Sequence, residues 1–249
     1  LVQTIPKEVR FGYKHPDSKR NFGPNGKTLP DISELLKSSI FLERIESEIQ
    51  WVKFNGKKIS ETIEDAKNKI NDYNGTSEEI KQKFENNDIT SLQQFDELNK
   101  LSQLISNIDS SAISREFDRY LASIQVINLY KKLGNDFKKA IKYSKYLIQK
   151  DEFSQIIKDV NSTRLRLKPR EDKKKGLIME WPKAHEISNG ERDVLSLITL
   201  LLKARKSFNK QNGLLIIDEI FDYLDDANLV AFQYFITDFI ERMGRKGKN

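Results

Sequence analysis

Residues 214–217, Leu-Leu-Ile-Ile, run without a break into two adjacent carboxylates, Asp218 and Glu219. A short, unbroken apolar run predicts a strand covered on both faces, as in a parallel sheet. Such a strand needs neighbouring strands and covering helices, so the run constrains the fold around it. Carboxylates at the end of a covered strand need a partner, because an unpaired buried charge is costly. Ligands of open α/β sheets sit at the carboxyl ends of the strands. There Asp218 suits a Mg²⁺ ligand, directly or through water, and Glu219 suits a group that orients or deprotonates a water. The plainer alternative is a strand end whose acids are solvated.

A second segment, residues 187–202, reads Ile-Ser-Asn-Gly-Glu-Arg-Asp-Val-Leu-Ser-Leu-Ile-Thr-Leu-Leu-Leu. Ser188 and Glu191 have capping-box spacing, which predicts a helix start. Asn189 and Gly190 keep side chains small at the helix mouth, where free N–H groups and the dipole favour an anion such as a terminal phosphate. An ordinary capped core helix explains residues 194–202 equally well.

Together and in this order, these segments resemble the C-terminal lobe of ABC-type ATPase heads. Residues 187–191 resemble the family signature, usually Leu-Ser-Gly-Gly-Gln or -Glu, with Asn189 in place of the first Gly. Residues 214–219 resemble its Walker B strand with the catalytic glutamate. Asp222-Tyr223-Leu224-Asp225 falls where the family has its D-loop. Gly190-Glu191-Arg192 is closest to the SMC, RecF and DNA-repair branch, and the likeness covers residues 160–243. The resemblance implies a head that binds ATP with Mg²⁺ and pairs head-to-tail with another, as a homodimer or a hetero-oligomer. Ser188, Asn189, Gly190 and Glu191 would meet the γ-phosphate in trans. Asp218 would hold the metal, Glu219 would be catalytic and Asp225 would belong to the D-loop. Hydrolysis would be coupled to DNA handling in repair, chromosome maintenance or defence against foreign DNA such as phage.

Such a head also needs a P-loop, Gly-x-x-x-x-Gly-Lys-Ser/Thr. Gly23-Pro24-Asn25-Gly26-Lys27-Thr28 supplies the ending Gly26-Lys27-Thr28, but Asn21 stands where the first Gly belongs. Residues 15–21 are polar, so no buried strand leads in, and Pro30 limits a following helix. The alternatives are a surface turn and a degenerate P-loop. The family's late histidine is missing as well. The start at Leu1 and the stop at Asn249 imply a piece of a longer protein, or a head completed by another chain.

Apolar residues make up 37% and charged residues 32% of the 249, which fits a helical, soluble protein of one large or two small domains. Without cysteine there is no disulfide or zinc–thiolate site. The two histidines, His15 and His185, are too far apart in sequence to suggest a shared metal. No secretory signal is visible, and residues 197–202 are too short an apolar run to span a bilayer, so the expectation is a cytoplasmic protein without a membrane partner. Net charge is +6, and lysines crowd residues 131–150. On a helix Phe137, Ile141, Ser144 and Ile148 share one face, while Lys138, Lys142 and Lys145 form a stripe suited to a phosphate backbone or simply to solvent.

The expected organisation is an irregular segment over 1–30, a helical bundle or arm over 31–160 and an ABC-like α/β lobe over 161–249, predominantly α overall. A short strand is expected at 9–13. Asp31 with Glu34 opens a helix reaching residue 52, and another covers 59–73. Thr76/Glu79 and Thr90/Gln93 have capping-box spacing. Leu92, Phe95, Leu98, Leu101 and Leu104 make one amphipathic stripe. Helices follow over 113–133 and 136–159, then strands over 163–168 and 176–181 joined by a basic hairpin. Two rivals to the ATPase stand: a non-catalytic ABC-like scaffold completed by a partner chain, and a helical nucleic-acid-binding protein without ATPase activity.

Overall fold

Side-chain caps open two of the described helices in the first of two units, Pro6–Gln149; the second comprises Lys150–Asn249 with Leu1–Ile5. The computed structural model describes residues 4–108, 113–161, 168–172, 176–180, 183, 185–207, 214–216 and 226–245. Helix α1 (His15–Phe22) carries a proline in its first turn, where the missing N–H is harmless. Ser38 Oγ accepts the Phe41 N–H at 3.3 Å and starts α2 (Ser39–Glu48). The single helix expected over 31–52 is therefore broken. Asp31 accepts from the Ser33 N–H (2.8 Å) and hydroxyl (2.6 Å), a local turn that competes with helix. After α3 (Lys57–Asp72), the Thr76/Glu79 box opens α4 (Ser77–Asn87) with both reciprocal bonds formed.

The Thr90/Gln93 box does not form. Ile89 precedes the short α5 (Thr90–Gln93), and Gln93 Nε2 donates to Glu116 Oε1 at 2.8 Å instead. The leucine stripe is real but shared: Leu92 lies on α5, and Leu98, Leu101 and Leu104 on α6 (Asp96–Ser106), all buried. Helix α7 (Glu116–Leu133) packs against α6 and α4 and is buried on nearly every side. Gly134, at φ +52, ends it and allows the turn into α8 (Phe137–Asn161). Residues 9–13 have no secondary structure. No strand pairs with them among the described residues, and Phe11 packs its ring 5.7 Å from that of Phe137.

An aromatic cluster closes this core. Phe137 meets Trp51 at 4.6 Å and Tyr130 at 5.5 Å, both edge-to-face. Polar side chains of α7 are matched across the core. Gln125 Nε2 donates to the Pro30 carbonyl (2.9 Å), and its Oε1 accepts the Tyr13 hydroxyl (3.0 Å). Burial pushes the Tyr13 phenol up and the His15 imidazole down, so their 3.0 Å contact joins neutral groups at pH 7. Lys81 reaches buried Asp118 Oδ1 at 2.6 Å, a charge contact without hydrogen-bond alignment.

In the second unit β1 (Lys168–Asp172) pairs antiparallel with β2 (Gly176–Glu180), Arg170 opposite Ile178. Of the first strand expected over 163–168, residues 163–167 lie outside the described residues, and β1 begins at Lys168. Gly176, at φ +88, begins the return. Helix α9 (Asn189–Ser207) packs on α10 (Asp226–Arg245), burying Val194, Leu195, Ile198 and Leu201 with Phe232 and Phe235. Among the described residues the structure is predominantly helical, its sheet is this hairpin, and no parallel α/β sheet is formed. The buried strand expected from residue 214 is corrected accordingly. Leu214, Leu215 and Ile216 carry no strand and are 86%, 44% and 78% exposed. A parallel strand is held by hydrogen bonds to its neighbours, and none is present among the described residues. No described helix is long and apolar enough to cross a membrane.

Two outcomes test this packing. Phe137→Ala should lower stability by about 3–5 kcal/mol in urea unfolding, as for other buried aromatics. Glu97 is buried, which raises its pKa, but the Gln50 N–H at 2.6 Å and Lys53 at 3.2 Å outweigh that and hold the carboxyl below its usual range. A depressed carboxyl stabilises above its unfolded pKa and loses that contribution as pH falls through its folded pKa. The stability gap between wild type and Glu97→Gln should therefore be full at pH 7 and close on acidification below the ordinary Glu range near about 4.3.

Candidate functional site

The mouth of α9 forms as its sequence predicts. Ser188 Oγ accepts the Glu191 N–H at 3.2 Å, and Glu191 Oε2 accepts the Ser188 N–H at 2.7 Å. The Arg192 N–H bonds the Ser188 carbonyl at 3.1 Å. The amides of Asn189 and Gly190, the first two helical residues, have no acceptor one turn back. Ser188 and Asn189 are exposed, and Gly190 and Glu191 half-buried. Two amides at the positive end of a 19-residue helix, open to solvent, are a fitting contact for a phosphate oxygen. The Glu191 carboxylate beside them works against an anion, so a phosphate would need countercharge from elsewhere. His185 stands just before this mouth, 4.0 Å from Glu186 and mostly solvated.

Asp218, Glu219 and Asp225 lie outside the described residues, as does the whole stretch 217–225. Among the described residues no cluster of three or more metal-binding side chains occurs.

The Gly26-Lys27-Thr28 segment is a short 3₁₀ turn, and its donors are engaged inside the fold. Gly26 N–H bonds the Gly23 carbonyl (3.0 Å) and Thr28 N–H the Asn25 carbonyl (2.9 Å). Thr28 Oγ1 donates to that same Asn25 carbonyl at 2.8 Å. Asn25 is buried and acts as a rivet: its amide donates to the carbonyls of Ile70 (2.8 Å) and Tyr73 (2.7 Å), while its N–H bonds Asn71 Oδ1 at 3.0 Å. Lys27 Nζ donates to the Gly75 carbonyl at 2.8 Å. A Cβ on Gly26 would lie 2.1 Å from the Lys19 carbonyl oxygen, so glycine is required by close backbone approach. A phosphate cradle needs outward-facing amides, and in this conformation those of Asn25, Gly26 and Thr28 point inward to acceptors. The segment clasps the end of α3.

The lysine stripe on α8 divides in two. Lys145 bonds Glu46 at 3.0 Å and is three-quarters buried, a structural tie. Lys138 and Lys142 are exposed, and no acid pairs with them among the described residues. Phe137 and Ile141 are buried and Ile148 partly so, as the face assignment requires. The role of Asn25 escaped the sequence reading. Its signal was the Pro-Asn-Gly turn, which says where the chain bends but not what the bend holds.

No protein-family model, no curated protein and no solved structure matches this chain.

The clasp predicts that Asn25→Ala lowers stability by about 1–3 kcal/mol, because two buried carbonyls lose their donor. Lys27→Ala should leave nucleotide affinity unchanged; a loss of nucleotide binding in Lys27→Ala without unfolding would contradict the clasp.

Proposed function

We propose that residues 160–243 belong to the C-terminal lobe of an ABC-type ATPase head acting on DNA. The observation that carries this reading is the open, doubly capped mouth of α9, in which Ser188 and Glu191 bond reciprocally and leave the Asn189 and Gly190 amides free of intrahelical acceptors. In a head-to-tail pair these two amides and the Ser188 hydroxyl would hold the γ-phosphate of ATP carried by the opposing head. Mg²⁺ supplies charge neutralisation at the phosphates when bound. Asp218 would hold it, and Glu219 would orient the attacking water and take its proton. Asp225 would meet the opposing head. Lys138 and Lys142, exposed and without acidic partners among the described residues, would supply charge for a DNA backbone.

The second reading is a head completed by, or serving as scaffold for, another chain. Two observations favour it. The amides of residues 25, 26 and 28 are engaged in the clasp, so this segment does not fit a nucleotide's phosphates. Leu214, Leu215 and Ile216 are exposed, and no strand pairs with them among the described residues, which suits an apolar segment covered by another chain.

Steady-state ATP turnover with Mg²⁺, for the chain and for Glu219→Gln, with and without double-stranded DNA, tests the first reading. DNA-responsive turnover that falls by about 10²-fold or more in Glu219→Gln is the expected result, the scale of losing a general base. Absence of turnover in the chain alone overturns autonomous activity and leaves the second reading. DNA binding that falls with salt and ignores ATP would instead identify a simple polyanion binder.

A further inference from the structure

A groove of about 750 Å³ opens along α7 between α1 and α3, wholly within the first unit. That volume falls inside the range of about 300–1,000 Å³ usual for small-molecule sites. Its floor is apolar, built from Phe22 and Leu29 with Leu121, Ile124 and Leu129 of α7. Between Tyr120 and Leu129 every residue of α7 is buried except Asn128, which opens into this groove. The Asn128 amide has no partner among the described residues, so its donors and acceptor are available to orient a guest.

The rim is positive. Arg20 is neutralised by Asp17, and Lys67 by Glu64 at 3.1 Å. Lys14 and Lys132 also line the groove and have no acidic partner among the described residues. Two uncompensated cations above an apolar floor favour a guest that is apolar at one end and negative at the other. The aromatic rings here are not free stacking platforms. Phe22 is buried, and the Tyr13 hydroxyl is tied to Gln125. A nucleic-acid strand read by base stacking is thereby disfavoured.

We propose that this groove binds a small organic anion, with its apolar body on Leu121, Ile124 and Leu129 and its acidic group toward Lys14 and Lys132. The site shares no residue with the α9 mouth or the Asp218–Glu219 pair, so it stands apart from the ATPase reading.

The test titrates the full chain with 8-anilinonaphthalene-1-sulfonate by fluorescence, against neutral N-phenyl-1-naphthylamine. The expected result is saturable binding of one sulfonate per chain, with the neutral compound about tenfold weaker or worse. Asn128→Trp, at an exposed position, should fill the groove and abolish binding without lowering the melting temperature. Lys14→Glu with Lys132→Glu should weaken the sulfonate about tenfold and leave the neutral probe unaffected. Val230→Ser, which removes exposed apolar surface on α10, should change nothing. Equal affinity for the two probes, or sulfonate binding unchanged in both groove variants, overturns the proposal. So does the absence of saturable sulfonate binding.

Discussion

The first unit depends on the burial of helix α7. From Phe117 to Ile127 it presents buried residues around its whole circumference, Arg119 alone being half-buried. A helix of this kind has no solvent face to orient it, so its neighbours must do so. Each fully buried Leu, Ile or Phe contributes about 1.5–3 kcal/mol by leaving water. That force is non-directional and would accept several rotations about the helix axis. The polar residues on α7 select one. Gln125 must face Pro30 and Tyr13, Tyr120 must reach Asn99 at 2.7 Å, and Asp118 must meet Lys81. Any other rotation would leave these groups buried without partners, at about 1–3 kcal/mol each.

The same logic explains the N-terminal segment. It lacks regular structure beyond one helix and short 3₁₀ turns, yet much of it is buried. A buried irregular chain must have its amides and carbonyls satisfied by something other than a helix or sheet ladder. Asn25, Asn71 and Gln125 do this with side-chain amides, each bonding backbone of a distant segment. Gly23-Pro24-Asn25-Gly26-Lys27-Thr28 is therefore a fastening between the N-terminal segment and α3. Its likeness to a phosphate loop reflects the shared need for small residues where backbones approach closely.

The second unit is organised differently. Its hairpin and the α9–α10 pair bury a smaller apolar set, and several large apolar residues remain exposed: Leu200 on α9, and Val230, Tyr234 and Ile240 on α10. The capping bonds of the α9 mouth are local, running between Ser188 and Arg192. This separates two kinds of arrangement in one chain. A capped helix mouth can be written into five consecutive residues. The α7 groove draws on residues from Lys14 to Lys132 and exists only when three helices meet.

The sequence by itself determined features whose physics is local. The Thr76/Glu79 and Ser188/Glu191 boxes, the C-terminal ends of α3 and α7, and the buried face of α8 follow from hydrogen bonds and periodicity within a few residues. It misjudged what depends on distant partners. Thr90 and Gln93 had the spacing of a box, but the Gln93 side chain instead donates to Glu116, 23 residues away. Residues 9–13 and 214–216 read as strands from their side chains, yet a strand exists only where another backbone completes its ladder. Asn128 is the one exposed residue between Tyr120 and Leu129, and only the packing of α1 and α3 against α7 makes it the open side of a groove. Backbone amides close their own short loops, whereas burial and pairing are settled by which surfaces arrive from elsewhere in the chain.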